Sequence, residues 1–172
     1  LDMAHTCTFT SYFDLLTSVT PEIEEAWART RDQQGNGVFV EAGQVIGYVG
    51  GQTLDFGVYD YESKLSGLIN PNAYAKREIW KIHTVDPFQY FPSEVADLLL
   101  AKVIRSVEPR AGKIDYDVKG TLSGNWFELG TDWYNGINQI KYWEGHLSIA
   151  PHQIDPTIWR VGIGFLDTED NN

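Results

Sequence analysis

The chain has 172 residues, of which 42% are hydrophobic and 22% charged, a balance typical of a folded globular protein rather than a disordered one. The formal net charge of −11 disfavours binding to nucleic acid, because an acidic surface repels the phosphate backbone. No apolar run reaches the ~18 residues that a membrane-spanning helix needs, and we expect no signal peptide in this chain.

The first thirty residues are predicted to form a strand region and a helix. Residues 4–19 are rich in threonine and aromatic side chains, which favour strands. Thr20-Pro21-Glu22 is typical of a helix start, since threonine caps the N-terminus, proline fits the first position and an acid suits the first turn. The residues at helical spacing that we expect to face the core are Ile23, Ala26, Trp27 and Thr30.

Short strands and glycine-rich turns are predicted to follow. The predicted strands of this region lie at 38–40, 45–51 and 53–60. A loop at 61–76 is the expected seam of the chain. It separates an N-terminal β-rich subdomain, 1–75, from a helix with an antiparallel β-rich extension, 76–172, and the two regions can share one core.

The second half is predicted to contain one helix among strands. The helix begins at Pro92-Ser93-Glu94 and ends near Arg105. Its expected inner face consists of Val95, Leu98, Leu99 and Val103. The predicted strands lie at 78–83, 114–118, 121–127, 139–149 and 157–165. The sequence therefore predicts a mainly β protein with two short helices and an antiparallel C-terminal sheet.

Two segments of the N-terminal region resemble signatures of the lysostaphin-type zinc endopeptidases, the M23 family. In that family a strand ending in Ala-Gly-Gln-x-Ile-Gly leads through a glycine-rich turn to a His-x-His-Phe strand. The first segment here, residues 40–51, contains Ala-Gly-Gln-Val-Ile-Gly and leads to the strand at 53–58. The second, residues 10–15, resembles the family's Tyr-x-His-Leu motif. The resemblance covers about residues 1–60 and implies a barrel-sandwich-hybrid-like β core and an extracellular or cell-envelope location.

The metal-binding positions of that family are occupied here by other residues. The histidine of Tyr-x-His-Leu aligns with Asp14, and the two histidines of His-x-His align with Thr53 and Asp55. A catalytic zinc needs about three protein ligands and an open position for water. We therefore expect no cofactor, and the one ion compatible with the two carboxylates is weakly bound Ca²⁺, which prefers oxygen ligands.

The resemblance and its departures together predict a non-catalytic binding or scaffold module. The expected partner is a peptide, a glycan or another protein, and the candidate groove residues are Tyr12, Asp14, Thr53 and Asp55. One alternative is a metal-dependent hydrolase whose ligands come from His5, His83 or an upstream segment. Another is a small-ligand β-barrel, because Gly124-Asn125-Trp126 resembles the Gly-x-Trp of lipocalin and avidin-like barrels. It makes Trp126 a candidate ligand-contacting residue, although a packed strand with Trp126 in the core is the preferred interpretation of this segment.

Two further groups of polar residues are candidates for catalysis or metal binding. Asp115 and Asp117 lie on one face of a predicted strand, as a pair of carboxylates for glycoside hydrolysis would. His146 and His152 flank a strand end near Glu144 and are weak candidates for metal ligands. For both groups, an ordinary structural role is the preferred interpretation.

Overall fold

A computed structural model of the protein describes residues 1–32, 37–138 and 140–165. In these ranges the protein is mainly β, with nine short strands in three antiparallel sheets and two α-helices. The predicted fold class is confirmed in these features: the helices are short, and the C-terminal sheet is antiparallel. No sheet within the described ranges closes into a barrel.

The chain divides into two compact units, Leu1–Gly57 and Val58–Asn172. The strands are β1 (Asp2–Ala4), β2 (Phe9–Asp14), β3 (Ser18–Val19), β4 (Gly47–Tyr48), β5 (Asp55–Asp60), β6 (Thr84–Val85), β7 (Gly124–Phe127), β8 (His146–Pro151) and β9 (Trp159–Ile163). The α-helices are α1 (Pro21–Asp32) and α2 (Ser93–Leu100).

In the first unit, the predicted strand region at 4–19 is divided by turns. Strands β1 and β2 form a hairpin in which Met3 lies opposite Ser11. On its other side β2 neighbours the start of β5, where the rings of Phe13 and Phe56 lie 5.0 Å apart. Strand β3 pairs with β4, placing Val19 opposite Gly47.

The segment between α1 and β4 differs in part from its prediction. Residues 38–40 do not form a strand. The glycine-containing segment 33–37 is predicted to end α1, and its residues 33–36 lie outside the described residues. The expected turn before β4 is present, since the Gln44 N–H donates to the Glu41 carbonyl at 3.0 Å. Gly43 takes a φ of +84° in this turn, a conformation that favours glycine.

Helix α1 begins at Pro21, as predicted, and buries Ile23. The prediction that Trp27 faces the core is wrong, because this side chain is exposed. The Thr20 carbonyl oxygen accepts the Glu24 N–H at 3.0 Å and so starts the helix. The Thr20 hydroxyl, however, is buried and has no hydrogen-bond partner among the described residues, so the side chain does not cap the helix as expected.

Replacing Thr20 with valine is expected to raise the free energy of unfolding by about 1 kcal/mol, because the methyl group removes the desolvation cost of an unpaired hydroxyl while keeping the shape. Thr17→Val is the matched control. The Thr17 hydroxyl oxygen accepts the Gly50 N–H at 2.7 Å, so its loss should be destabilising. Urea unfolding of both variants measures the difference, and a destabilised Thr20→Val protein would show that this hydroxyl caps α1 after all.

The core of the second unit is built largely from short 3-10 helices rather than from strands or α-helices. Its buried residues are Leu68, Ala73, Tyr74, Ile82 and Tyr134, with Leu65, Phe127 and Tyr142 packed against them. Residues 61–76 were expected to be a loop, and their regular part is one short 3-10 helix, Pro71–Tyr74. They nevertheless supply three of the five buried core residues, which the loop assignment did not anticipate.

The strand predicted at 78–83 is wrong. Ile79–His83 forms a 3-10 helix instead, and only Thr84 and Val85 continue as β6. In a 3-10 helix, residues three apart lie on the same face, so Ile79 and Ile82 share a face without strand alternation. Strand β6 pairs with the end of β5, with Val58 opposite Val85.

Helix α2 also differs from its prediction in length and in its buried face. It ends at Leu100 rather than near Arg105, and it buries Ala96 while Val95 and Leu98 are exposed. The following loop is organised around two arginines. Arg105 is buried and donates to the carbonyl oxygens of residues 108, 109 and 153, and Arg110 donates to the Leu100 carbonyl at 2.9 Å.

The C-terminal sheet has the order β7-β8-β9. Leu147 at its centre lies opposite Trp126 on one side and opposite Ile163 on the other. Phe127 lies opposite His146, and the side chains of this pair lie on the other face of the sheet, since neighbouring residues in a strand alternate. The strand predicted at 139–149 begins only at His146; its first residue, 139, lies outside the described residues.

Candidate functional site

The groove residues predicted from the zinc-endopeptidase resemblance all lie in the first unit. Tyr12 lies within β2, and its ring occupies the space beside Gly57, where an added Cβ would lie 2.6 Å from the ring. Phe13 and Phe56 face each other on antiparallel strands. Asp14, which follows Phe13, and Asp55, which precedes Phe56, therefore lie at the same end of this sheet. Thr53 precedes β5, and it is exposed like both carboxylates.

The chemistry at this end of the sheet is limited to exposed oxygen atoms. The Asp14 carboxylate accepts the N–H of the next residue, Leu15, at 2.8 Å. Within the described residues, no three side chains of histidine, cysteine, aspartate or glutamate come together as a metal site would require.

The histidines proposed as alternative metal ligands have other partners. His5 in the first unit shares a hydrogen bond of 2.9 Å with the Ser11 hydroxyl. His83 in the second unit donates through Nδ1 to the Ser63 carbonyl oxygen. His152 Nδ1 accepts two backbone N–H groups, from Ile154 and Asp155, at 3.2 Å each.

The carboxylate pair Asp115 and Asp117 has a structural role. The predicted strand at 114–118 is not formed, so the two side chains do not line a strand face. Asp115 is buried and accepts the Gly67 N–H at 2.8 Å, and Asp117 accepts the N–H groups of Ile69 and Asn125 at 2.9 Å each. These bonds attach the core loop to the start of β7, which leaves neither carboxylate placed as a general acid.

The centre of the second unit is a group of rings that we call the aromatic cluster. Its members are Tyr74, Phe127, Tyr134, Tyr142 and His146. Tyr134 contacts all the others: its ring centre lies 4.9 Å from that of Tyr74 and 5.0 Å from that of His146, which it stacks on. The guanidinium of Arg77 lies 3.9 Å above the Tyr142 ring and closes one side of the cluster.

The hydroxyl group of the buried Tyr134 is hydrogen-bonded to one member of a charged pair, Glu78 and Lys81, beside the aromatic cluster. The Tyr134 hydroxyl donates to Glu78 Oε2 at 2.6 Å, and Lys81 Nζ lies 3.1 Å from the same oxygen. Burial, followed by the hydrogen bond to Glu78, raises the pKa of Tyr134 far above its ordinary value. Burial and the nearby Asp117 raise the pKa of Tyr74 to about 12. Both phenols therefore stay protonated at neutral pH and do not act as bases, and the Tyr134 hydroxyl acts as a hydrogen-bond donor.

Because of His146, the stability of the folded protein is expected to depend on pH. Its Nε2 donates to the Tyr134 carbonyl oxygen at 3.2 Å, while burial, the largest cause, lowers the pKa of His146. The unfolded chain therefore binds the proton more readily than the folded one, so stability falls as the pH falls below about 6.5. We expect a lower melting temperature at about pH 5.5 than at about pH 7.5.

The His146→Asn variant should show a shallower decrease over the same range, whereas the exposed His5→Asn variant should behave as the wild type. Thermal unfolding followed by circular dichroism at each pH provides the comparison. An equal decrease in wild type and His146→Asn would assign the pH dependence to other groups.

A cleft of about 350 Å³ opens beside the aromatic cluster in the second unit. Its apolar lining includes Trp126, Trp143 and Ile163, and its polar lining includes Asn125 and Ser148. Members of the aromatic cluster and Lys81 also line the cleft. The volume lies in the range of about 300–1,000 Å³ that ligand pockets occupy.

Trp126 combines exposure with a fixed orientation. Its indole N–H donates to the Leu122 carbonyl oxygen at 2.9 Å, yet 44% of the residue is exposed. The interpretation of Trp126 as a packed core residue is therefore wrong. The three-stranded sheet that carries it remains open within the described ranges, so the closed lipocalin-like barrel expected as an alternative is not formed.

The sequence pointed to Trp126 but not to the rest of the cleft. Lys81, Tyr134 and Trp143 come from 3-10 helices or their ends, whose apolar residues follow no simple strand or helix period. The only available signal was the density of tyrosine and tryptophan between residues 126 and 143, which indicates a buried or ligand-binding surface without placing it.

Comparison of the chain with protein-family models, with curated proteins and with solved structures gave no match. In the described residues, neither helix is long and apolar enough to cross a membrane.

Proposed function

We propose that the chain is a non-catalytic binding module that holds a neutral glycan segment in the cleft of its second unit. The observation that carries the proposal is the half-exposed indole of Trp143, which lines the cleft and packs edge-on against Tyr142 of the aromatic cluster, with ring centres 5.4 Å apart. A ring that is already ordered loses little conformational entropy when a flat ligand stacks on it.

The polar atoms of the cleft favour a ligand that carries hydroxyl groups. Asn125 and Ser148 lie on the same face of the sheet as Phe127 and His146, and they supply an amide and a hydroxyl beside the aromatic cluster, a combination suited to a sugar ring with one apolar face. The charge of Lys81 is balanced by Glu78, and the net charge of the chain is −11. An acidic polysaccharide would therefore be repelled, and a neutral one is the better fit.

The non-catalytic part of the proposal is supported by what the candidate groups already do. Asp115 and Asp117 are engaged by backbone N–H groups, and the positions aligned with the zinc ligands carry Asp14, Thr53 and Asp55. The resemblance to lysostaphin-type peptidases also motivates placing this activity outside the cell or in the cell envelope. Metal analysis of the purified protein tests the first point, since stoichiometric, tightly held zinc would contradict it.

The ligand class is tested by tryptophan fluorescence titration against a panel of neutral oligosaccharides, acidic polysaccharides and peptides. We expect a saturable change with neutral oligosaccharides at low and at high salt, and none with acidic ones at low salt, where the repulsion by the net charge is least screened. Binding of peptides alone would replace the glycan with a peptide in the same cleft. An absence of binding across the panel would contradict the proposal.

A further inference from the structure

Strand β9 forms an open edge of the C-terminal sheet. All five of its residues are exposed, and within the described residues no strand or side chain bonds to its outer side. Proteins usually protect such edges with prolines, bulges or several charges. Strand β9 has none of these devices except a single charge, on Arg160. Its outer edge is therefore able to pair with another strand.

The pairing of β9 with β8 fixes which backbone groups point outward. The Gly164 N–H donates to His146 and the His152 N–H donates to Ile158, both at 2.8 Å. Because hydrogen-bonded pairs alternate along an antiparallel ladder, the even-numbered residues of β9 bond to β8. The N–H and C=O groups of Trp159, Val161 and Ile163 consequently point to the open edge.

We infer that β9 pairs antiparallel with β9 of a second copy of this chain, about a twofold axis at Val161. In this register Val161 lies opposite its own counterpart, and Trp159 lies opposite Ile163 of the other copy. Each outward N–H then meets an outward carbonyl oxygen, since these three residues are the ones whose backbone groups face the edge. An isologous contact of this kind closes as a dimer and does not propagate.

The side chains fit this register on both faces. On one face Trp159, Val161 and Ile163 would continue the apolar surface that Trp126 and Leu147 begin. On the other face Arg160 would lie opposite Gly162, so that no like charges meet. A pairing centred on Arg160 would instead place two guanidinium groups opposite each other. The edge is thus complementary to itself, which selects a second copy as its partner.

Sedimentation velocity of the full chain across a concentration range tests this inference. The wild type should shift from monomer to dimer as its concentration rises. The Val161→Lys variant places two ammonium groups face to face and should weaken the association by about tenfold or more. Val118→Lys is the matched control, since Val118 is 51% exposed in a loop and Val161 62% exposed in β9. This control should associate as the wild type does.

Cross-linking provides an independent reading of the register. Cys7 is the only cysteine and is exposed, so the background is Cys7→Ser. With a short bismaleimide, Val161→Cys in that background should give a covalent dimer, and Val118→Cys should not. A wild type that stays monomeric at every concentration overturns the inference. Binding of an extended peptide by such a monomer would show that the β9 edge pairs with another partner, and it would not rescue the inference. A dimer that Val161→Lys leaves intact overturns it as well.

Discussion

Replacing Tyr134 with alanine is expected to lower the free energy of unfolding by about 3–5 kcal/mol, the cost of removing a large buried aromatic ring. Tyr134 is 8% exposed and is the one residue that contacts every other member of the aromatic cluster. Its removal would also leave Glu78 without the phenol that now donates to it at 2.6 Å. Denaturant unfolding followed by circular dichroism measures the loss.

Two further variants separate packing from hydrogen bonding at this position. Tyr134→Phe keeps the ring and removes only the hydroxyl, so it should cost about 1–2 kcal/mol. Ile137→Ala, three residues on and well exposed, should change stability by less than about 0.5 kcal/mol. If Tyr134→Ala proved no more destabilising than Ile137→Ala, the aromatic cluster would not be the core of this unit.

Replacing Trp143 with alanine is expected to weaken ligand binding by at least about tenfold, because an exposed indole that packs against a neighbouring ring is the type of residue that dominates binding energy. The expected loss of stability is small, since the ring is half-exposed. Fluorescence of the remaining tryptophans, together with calorimetric titration of the bound oligosaccharide, measures the affinity.

Trp27→Ala is the matched control for this variant. Trp27 is an exposed tryptophan of the first unit, on α1, so its removal should leave the affinity unchanged. Trp143→Phe keeps an aromatic ring at this position, and it should fall between the wild type and the alanine variant. An alanine variant that binds as well as the wild type would exclude Trp143 from the site.

The features predicted correctly from the sequence are those set by neighbouring residues. The start of α1 followed from a proline at the first position, and the turn before β4 followed from Gly43, because both effects act within a few residues. Strands β7 and β9 were likewise placed within longer predicted strands. Local chemistry was sufficient at these places because no distant contact opposed it.

The incorrect predictions concern segments whose structure depends on distant partners. The apolar alternation at 78–83 suits a strand, but Ile82 packs against residues of other 3-10 helices, Tyr74 and Tyr134, and the segment folds as a 3-10 helix. The acids at 115 and 117 suit a strand face as well, yet they bind N–H groups 48 residues earlier in the chain. Separations of that size leave no periodic trace in a single sequence.

Only one residue of the candidate site, Trp126, was predicted from the sequence. Trp126 was selected for its Gly-x-Trp context, and it lines the cleft. Its partners Tyr134, Trp143 and His146 reach the same place through two 3-10 helices and β8. The relation of the first 60 residues to lysostaphin-type peptidases stays a prediction, and so does the groove at Tyr12, Asp14, Thr53 and Asp55.

Two-dimensional ¹H–¹⁵N correlation spectra recorded during titration with the best neutral oligosaccharide test the central claim most directly. We predict chemical-shift changes at the indole N–H of Trp143 and at the backbone of 125–127 and 146–148, with residues 12–14 and 53–57 unaffected. Changes confined to those residues of the first unit would move the binding site to the predicted groove and contradict the account. An unchanged spectrum at saturating ligand would contradict it equally.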